Sequence, residues 1–404
     1  MRTTKTRLLA GLPLLAALAA GGPALAADTI KVGGLAPLSS PGAYQQGKEL
    51  VLGLQWAVDD FNAAGGLDGK MVELVVEDTQ GKPPVGATAA EKLITSEGVV
   101  GLAGEYHSSV CSAEIEVAKQ HGKPFVIASC WSDNLTEAGY AEVFRTSVYS
   151  SKLAENMVGL AAEVGLKKIA AIVEDSDYGV GIAKNIEGAI KKLGADIDFS
   201  YEVVEKTGKD FVPVLLKYKT QVKPEMIISA VTQPGGFLVL KQAHEIGFAP
   251  SSDTLFLDAT CTSQNDKVFW EAVKGAGKNV LLSCPFSPSV KLTPLGETIK
   301  ARYVKEFDRE PNYVVLQGYD SMQALLEGMK KAGSTEGPKI VEALKTLEFD
   351  GSRGPVKFET GPGVWTQQWK DVPTFIFQYT EVDQAAGEAS VLYPTAFKTA
   401  DIVK

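Results

Sequence analysis

The sequence predicts an α/β protein made of two doubly wound, parallel-sheet lobes that are joined by a multi-strand hinge. Three observations support this fold class. Strand-like and helix-like patterns alternate along most of the 404 residues, which is typical of parallel sheets covered by helices on both faces. The alternation restarts after residues 144–146. Three helical patterns then follow one another without an intervening strand after Pro288.

The first set of alternating patterns begins with an apolar stretch, residues 29–35, that predicts a strand. Residues 45–64 follow as an amphipathic helix with its leucines on one face, and Gly65-Gly66 is a helix stop signal. The remaining strands and helices of this set are predicted alternately at residues 71–76, 84–96, 99–103, 108–120 and 124–129.

The second set starts with a helix and again alternates. Its predicted elements are residues 151–164, 168–173, 178–193, 196–204, 211–220, 225–230, 234–246, 255–258 and 279–283, the last two being strands. After the proline-rich residues 285–288, helices are predicted at 295–307, 314–331 and 338–347, followed by a β-rich tail over 356–379.

These patterns predict how the chain divides into lobes. The helices after Pro288 have no strands between them and are therefore assigned to the first lobe. The predicted division is residues 1–26 for a signal peptide, 27–145 and 285–350 for lobe 1, and 146–284 and 351–404 for lobe 2. Several crossings between lobes make a hinge. Because ligands of such sheets bind at the carboxyl ends of the strands, we expect the binding site in the cleft between the lobes.

The amino terminus has the pattern of a secretory signal peptide. Arg2, Lys5 and Arg7 precede an apolar run over residues 8–20, and Ala24-Leu25-Ala26 places small residues at the positions a signal peptidase reads. The alternative, a membrane anchor, is disfavoured because the apolar run is short for a bilayer span. The sequence predicts cleavage after Ala26 and an exported, soluble protein.

The charge of the chain argues against two classes of partner. Loss of residues 1–26 removes three basic residues and no acidic one, which changes the formal net charge from −9 to −12. An acidic surface disfavours nucleic acid and anionic membranes as partners.

Sequence signatures of common enzyme classes are missing. There is no GxGxxG after a predicted strand, no GxSxG and no HExxH, and the chain has three histidines, His107, His121 and His244. The sequence therefore predicts no metal, no cofactor and no enzymatic activity. A binding protein is the leading hypothesis, and a ligand-sensing module for a separate receptor and an enzyme using the same cleft stay as alternatives.

Four cysteines are present: Cys111, Cys130, Cys261 and Cys284. An even number in an exported protein favours disulfides. The sequence alone allows three pairings, and four buried free thiols are the alternative.

The order of several short segments resembles the periplasmic binding proteins for leucine, isoleucine and valine. The match runs along nearly all of the chain after residue 26. The segments that carry it are Pro37-Leu38-Ser39, residues 56–69, Glu77-Asp78, Gly104 with Ser108-Ser109, Ala128-Ser129 with Leu135-Thr136, residues 144–146 and residues 174–179. Each is weak alone, whereas their joint order and spacing is specific.

This resemblance implies a type I periplasmic binding fold and a role in transport. Such a protein captures a small molecule in the periplasm and delivers it to the permease of an ABC importer in the inner membrane. The resemblance also implies a monomer whose partners are the small ligand and the permease.

In the family, the first lobe holds the carboxylate of the ligand, and the matching residues here are Ser109, Ser129 and Trp131. The residues themselves agree, since Ser108 and Ser109 open a predicted helix whose unpaired N–H groups suit a carboxylate. The alternative role for either serine is that of a helix N-cap.

Further contacts complete the predicted site. Tyr178 matches a tyrosine that closes over the ligand from the second lobe, with core packing as its alternative role. Tyr44 and Gln46 match an aromatic contact region before the first helix, and Thr232 and Gln233 are also predicted to contact the ligand.

Two departures from the family change the expected ligand. Trp131 stands where the amino-acid-binding relatives have a hydroxyl residue, and Thr260 stands where they have a glutamate that pairs with the α-ammonium group. Asp258, two residues before Thr260, would take the place of this glutamate only if the alignment of the segment with the family shifts. Because a buried ammonium group without a carboxylate is costly, and a tryptophan offers a flat apolar surface, we expect a ligand with one carboxylate and an apolar or aromatic body.

Within the family frame, the cysteines fall into two neighbouring pairs. Cys111 and Cys130 lie near each other in the first lobe, and Cys261 and Cys284 follow two strand ends of the second lobe. We predict the disulfides Cys111–Cys130 and Cys261–Cys284.

Overall fold

The computed structural model describes residues 29–264 and 266–404. The predicted signal peptide, residues 1–26, lies outside the described residues. The described chain forms two sheets, one of eight strands and one of seven, each flanked by helices. This arrangement confirms the predicted α/β class with two lobes.

The strands are short, mostly buried, and follow the predicted alternation. In chain order they are β1 (Ile30–Ala36), β2 (Val72–Asp78), β3 (Leu102–Gly104), β4 (Phe125–Ile127), β5 (Val143–Arg145), β6 (Lys168–Glu174), β7 (Asp198–Val204), β8 (Met226–Ala230), β9 (Leu255–Asp258), β10 (Leu281–Cys284), β11 (Glu348–Asp350), β12 (Pro355–Thr360), β13 (Thr366–Trp369), β14 (Phe375–Gln378) and β15 (Ser390–Tyr393).

The helices in chain order are α1 (Tyr44–Ala63), α2 (Pro83–Thr95), α3 (Ser108–Gln120), α4 (Asn134–Glu137), α5 (Ser150–Glu163), α6 (Asp177–Leu193), α7 (Val212–Lys217), α8 (Gly235–Glu245), α9 (Asp266–Val273), α10 (Pro294–Phe307), α11 (Tyr313–Ala332) and α12 (Gly337–Lys345). A π-helical segment, Tyr218–Val222, continues α7. The sequence patterns did not predict α4 and α9, because one or two turns carry too little periodicity.

Helix α6 shows how the local sequence sets the ends of an element. The hydroxyl of Ser176 accepts a hydrogen bond from the N–H of Gly179, and Asp177 supplies a negative charge in the first turn. Gly194 ends the helix in the left-handed conformation, with φ of 61°. N-caps, first-turn acids and a left-handed glycine each stabilise helix ends. Both ends of α6 are therefore defined by local sequence, and its first turn directly follows the carboxyl end of β6.

The first sheet has the order β11-β12-β13-β5-β4-β3-β1-β2 and the second the order β15-β14-β10-β9-β8-β6-β7. Strands β1 to β5 pair in parallel, as do β6 to β10. Further strands extend one edge of each sheet. In the first sheet β13 pairs in parallel with β5, and β12 pairs antiparallel with both β13 and β11; in the second sheet β14 and β15 add antiparallel pairs. Both sheets are therefore mixed, with a parallel centre.

Sheet membership corrects the predicted boundary at residue 351. Strands β12 and β13 pair within the eight-stranded sheet, where β13 joins β5 through Gln368 and Arg145. The prediction had placed these strands in lobe 2. The chain passes to the seven-stranded sheet only between β13 and β14. Hydrogen bonding between distant strands decides this, and no local pattern reports it.

Helix α11 packs directly against α1 in the first lobe. Glycines make this possible, because a Cβ atom at Gly318 would lie 2.5 Å from the carbonyl oxygen of Leu50, and a Cβ at Gly53 would meet the carbonyl of Val315. Removing the side chains lets the two backbones approach closely. Helix α11, one of the three helices that follow Pro288, thus packs with the helices of the eight-stranded sheet.

One of the two predicted disulfides is present. Cys261 and Cys284 are bonded, with Cα atoms 5.1 Å apart. The Cys111–Cys130 prediction is wrong, because both residues are free, buried thiols. They lie in an apolar cluster with Leu35 and Phe125. Burial, together with a hydrogen bond that the Cys130 thiol donates to Cys111, raises the pKa of Cys130 well above its usual range. A thiol held protonated in this way is a poor partner for disulfide exchange.

Candidate functional site

A cavity of about 300 Å³ lies between the two sheets. Residues directly after the carboxyl ends of five parallel strands line it: β3 and β4 in the first sheet, and β6, β8 and β9 in the second. The lining residues are Tyr106, His107, Ser108, Ser129, Trp131, Glu174, Tyr178, Thr232, Thr260 and Tyr313. Ligands of doubly wound sheets bind at this end of the strands, so the cavity is the candidate binding site.

The first lobe presents hydrogen-bond donors at the start of α3. No side chain caps this helix end, and the first N–H groups of a helix have no acceptor within the helix. The hydroxyl of Ser108 accepts hydrogen bonds from the N–H groups of Trp131 (3.2 Å) and Ser132 (3.1 Å), which leaves its own proton to be donated. The positive end of the helix dipole favours an anion here.

Aromatic rings form one wall of the cavity. The ring of Trp131 lies 6.0 Å from that of Tyr178 and 5.4 Å from that of Tyr313, centroid to centroid. The hydroxyls of Tyr106 and Tyr313 are 3.3 Å apart. The indole N–H of Trp131 is buried and has no acceptor among the described residues. Burial raises the pKa of Tyr178 and of Tyr313 well above the usual value, so both phenols stay neutral.

Glu174 from the second lobe also lines the cavity. It ends β6 and is 2% exposed. Its Oε2 accepts hydrogen bonds from the N–H (2.7 Å) and hydroxyl (2.6 Å) of Thr232, and its Oε1 accepts one from the hydroxyl of Ser176 (2.7 Å). These donors stabilise a buried carboxylate and fix its orientation.

Asp258 supports the site from behind and does not line it. Its carboxylate accepts hydrogen bonds from the N–H and hydroxyl of Thr260 and from the N–H and hydroxyl of Ser263. These bonds fold the loop after β9, which places Thr260 at the cavity. The carboxylate is committed to that loop and offers little to a ligand ammonium group.

Several hydrogen bonds join the lobes beside the cavity. The N–H of Asp177 donates to the hydroxyl of Ser109 (2.9 Å), and the hydroxyl of Ser112 donates to the carboxylate of Asp177 (3.0 Å). The hydroxyl of Ser132 donates to the carbonyl oxygen of Asp177 (3.1 Å). Within the second lobe, Tyr178 of the same turn donates to the carbonyl oxygen of Ala259 (2.7 Å). The start of α6 is therefore held against the first lobe in a closed cleft.

Six of the predicted ligand contacts lie in the cavity wall: Ser108, Ser129, Trp131, Tyr178, Thr232 and Thr260. Ser129 donates to the side-chain oxygen of Gln317 (2.6 Å). The other five predicted contacts lie outside the wall: Ser109, Tyr44, Gln46, Gln233 and Asp258.

The positions outside the wall have distinct surroundings. Ser109 faces a wider recess between the lobes, of about 1100 Å³, that opens to solvent. Tyr44 is 45% exposed, and the ammonium group of Lys48 lies 5.3 Å from its ring. Gln46 and Gln233 are buried, and each keeps one side-chain polar atom without a partner among the described residues.

Four lining residues were not predicted: Tyr106, His107, Glu174 and Tyr313. The first three follow or end strands whose neighbours were predicted, so the strand-end rule could have found them. Tyr313 starts α11, far along the chain, and no local signal marks it. In the described ranges, no group of three or more His, Cys, Asp or Glu side chains is placed to hold a metal ion.

No helix in the described part of the chain has both the length and the apolar composition that a membrane span requires.

The chain is similar to known proteins along most of its length. The profile of the family described as periplasmic binding protein matches residues 29–371. The Leu/Ile/Val-binding protein homolog 7 of Brucella abortus is 28% identical over 350 residues, which covers 84% of this chain and 86% of that protein. The leucine-, isoleucine-, valine-, threonine- and alanine-binding protein of Pseudomonas aeruginosa is 26% identical, covering 86% and 91%.

Two solved structures show the same fold. The substrate binding protein LivJ of Streptococcus pneumoniae, in complex with isoleucine, has a TM-score of 0.77 at 23% identity and covers 91% of this chain and 100% of that chain. A solute binding protein of an ABC transporter from Rhodopseudomonas palustris, in complex with 3,4-dihydroxybenzoic acid, has a TM-score of 0.74 at 23% identity, covering 93% and 98%. Both an amino acid and an aromatic acid are thus bound by proteins with this architecture.

Proposed function

Because this chain belongs to the periplasmic binding protein family, we propose that it is the substrate-binding protein of an ABC importer and captures a small carboxylate-bearing ligand between its lobes. The observation that carries the proposal is the cavity, which is lined by strand ends of both sheets. A ligand there contacts both lobes at once. It therefore stabilises the closed form over the open form, and a permease distinguishes the two.

The proposal includes export to the periplasm and action as a monomer. The basic, apolar and small-residue pattern of residues 1–26 supports cleavage after Ala26. The closed, ligand-bound protein then docks on the permease in the inner membrane and returns its ligand chemically unchanged.

The proposed ligand is a carboxylic acid with an apolar or aromatic body. The uncapped start of α3 and the hydroxyl of Ser108 suit the carboxylate. The rings of Trp131, Tyr178 and Tyr313 suit a flat apolar body. The bound dihydroxybenzoic acid of the Rhodopseudomonas palustris protein supports an aromatic acid, whereas the names of the Brucella and Pseudomonas relatives point to aliphatic amino acids.

The ligand class is tested by titration calorimetry and thermal shift with benzoate, 4-hydroxybenzoate, 4-methyl-2-oxopentanoate, leucine and valine. We expect binding of acids that lack an α-ammonium group. A ligand at about 100 times its Kd adds about 2.7 kcal/mol of stability, which a melting curve resolves. Tight binding of leucine or valine with none of the other acids would overturn the ligand class, and no response to any acid would overturn capture itself.

Two variants locate the site. Trp131→Ala removes the central ring of the wall and should weaken binding at least tenfold, since a buried aromatic anchor is worth about 2 kcal/mol or more. Tyr44→Ala is the matched control, because Tyr44 is largely exposed and lies outside the wall. Equal losses for the two variants would contradict the assignment of the cavity.

A further inference from the structure

Glu174 is the single acidic side chain among the described residues that line the cavity. It is 2% exposed, and no lysine, arginine or histidine nitrogen in the described ranges lies within ion-pair distance of it. A buried carboxylate without a cation depends on hydrogen-bond donors. Counting those donors shows what the carboxylate can still bind.

The carboxylate has one acceptor position left. An ionised carboxylate offers about four lone-pair positions, two on each oxygen. Thr232 fills both positions of Oε2 with its N–H and its hydroxyl, and Ser176 fills one position of Oε1. One position on Oε1 is therefore open, on a side chain that is held rigidly and borders the cavity.

We propose that Glu174 accepts a hydrogen bond from a hydroxyl group of the ligand, so that the ligand is a hydroxylated aromatic acid. This inference rests on the proposed function and names the substrate class of the same cavity. The carboxylate of the ligand lies at the start of α3, its ring lies among Trp131, Tyr178 and Tyr313, and its hydroxyl donates to Oε1 of Glu174.

A hydroxyl fits the open position better than an ammonium group does. An ammonium group brings three N–H donors, whereas Glu174 offers one position. The hydroxyl of Ser108 already accepts two hydrogen bonds, which fill its two acceptor positions. A hydroxyl brings one donor, which the single open position satisfies.

The test compares benzoate, 3-hydroxybenzoate, 4-hydroxybenzoate and leucine by titration calorimetry on the wild-type protein and on Glu174→Gln. In the wild type, at least one hydroxybenzoate should bind about tenfold more tightly than benzoate. Glu174→Gln exchanges a charged acceptor for a neutral one of the same shape, and hydrogen bonds to charged groups are the stronger kind. In the variant, the hydroxybenzoate should therefore bind no more than about threefold more tightly than benzoate.

Asp175→Asn is the matched control, because it makes the same change of charge at the neighbouring, exposed position and should keep the preference. Equal wild-type binding of benzoate and both hydroxybenzoates overturns the inference and leaves the proposed function standing. A parallel loss of benzoate and hydroxybenzoate binding in Glu174→Gln also overturns it, since Glu174 would then only hold Thr232 and Ser176. Binding of leucine alone overturns the proposed ligand class as well.

Discussion

At the scale of single residues, each ring nitrogen of His107 lies within hydrogen-bond distance of another nitrogen atom. The N–H of Ala43 donates to its Nε2 (3.1 Å), and the Nζ of Lys206 lies 2.9 Å from its Nδ1. A neutral imidazole has one N–H and one acceptor nitrogen. Since the N–H of Ala43 can only donate, Nε2 is the acceptor nitrogen and the ring proton lies on Nδ1. Lys206 can accept a hydrogen bond from this Nδ1–H only when its amine is neutral.

The burial of Lys206 also favours its neutral form. Burial lowers the pKa of Lys206, against the opposing effects of Glu174 and Glu105. Burial also lowers the pKa of His107 well below its usual value, and the nearby Lys206 adds to this effect. Because Lys206 follows β7 and His107 precedes α3, the contact joins the two lobes. Closing the cleft therefore favours loss of a proton from Lys206.

This contact predicts a pH-dependent affinity. In the closed form burial lowers the pKa of Lys206, and we expect a higher pKa in the open form, where Lys206 is away from His107. Between these two pKa values binding releases a proton, so the affinity rises with pH. Below the closed-form pKa both forms are protonated and the cost of closure is constant. Above the pKa of the open form, Lys206 is neutral in both forms, and the affinity no longer depends on pH.

Calorimetry with benzoate in two buffers of different ionisation enthalpy, at about pH 9, measures the protons released. The wild type should release up to one proton for each ligand bound, and Lys206→Met should release none. Benzoate is the suitable probe because it has no phenol that titrates in this range. Equal proton release by the two proteins would show that Lys206 keeps its charge on closure.

At the scale of elements, hydrogen bonds between α3 and the start of α6 stabilise the closed cleft; we call this contact the seam. The hydroxyl of Ser112 donates to the Asp177 carboxylate across this seam, and Ser109 and Ser132 bond the backbone of the same residue. The Asp177 carboxylate also stabilises the start of α6 from its first turn. One turn of helix thus joins the lobes and places Tyr178 over the cavity.

Ser112→Ala should weaken ligand binding about threefold to tenfold without touching the cavity wall. The reason is that a hydrogen bond to a charged group contributes about 1 kcal/mol or more, and this one exists only in the closed form. Calorimetry measures the loss. Ser96→Ala, at an exposed serine after α2, is the control and should leave the affinity unchanged. An unchanged affinity in Ser112→Ala would mean that the seam does not contribute to closure.

At the scale of the whole molecule, three chain crossings connect the lobes, after β5, after β10 and after β13. Buried polar groups hold the start of the first crossing against the first lobe: the guanidinium of Arg353 pairs with Asp320 (3.0 Å) and donates to the carbonyl oxygen of Thr146 (2.9 Å). Gln368 donates to the carbonyl oxygen of Ser147 (3.0 Å). The starts of the first and third crossings are therefore anchored by buried hydrogen bonds in the first lobe.

Removal of the ligand should open the molecule about this hinge. Small-angle X-ray scattering of the wild type should give a smaller radius of gyration with saturating 4-hydroxybenzoate than without ligand. Trp131→Ala at the same ligand concentration should keep the larger radius, because it binds the ligand too weakly to close. An identical radius with and without ligand, at a concentration that calorimetry shows to be saturating, would contradict the hinge.

Local patterns alone determined much of this protein. The alternation of apolar runs predicted both parallel sheet centres, and the strand-end rule together with the family resemblance pointed to Ser108, Ser129, Trp131 and Tyr178, which line the cavity. The sheet centres depend on the periodicity and turn signals of neighbouring residues, so a sequence contains them directly. Ser129, Trp131 and Tyr178 are what the family resemblance implied.

Only the tertiary structure decided which distant residues meet. It placed β12 and β13 in the first sheet, left Cys111 and Cys130 unpaired, brought Tyr313 to the cavity, and committed Asp258 to its own loop while leaving one acceptor position open on Glu174. The physical reason is that these outcomes depend on strand pairing and packing between segments that are far apart in the chain. A sequence read in local windows does not contain such contacts.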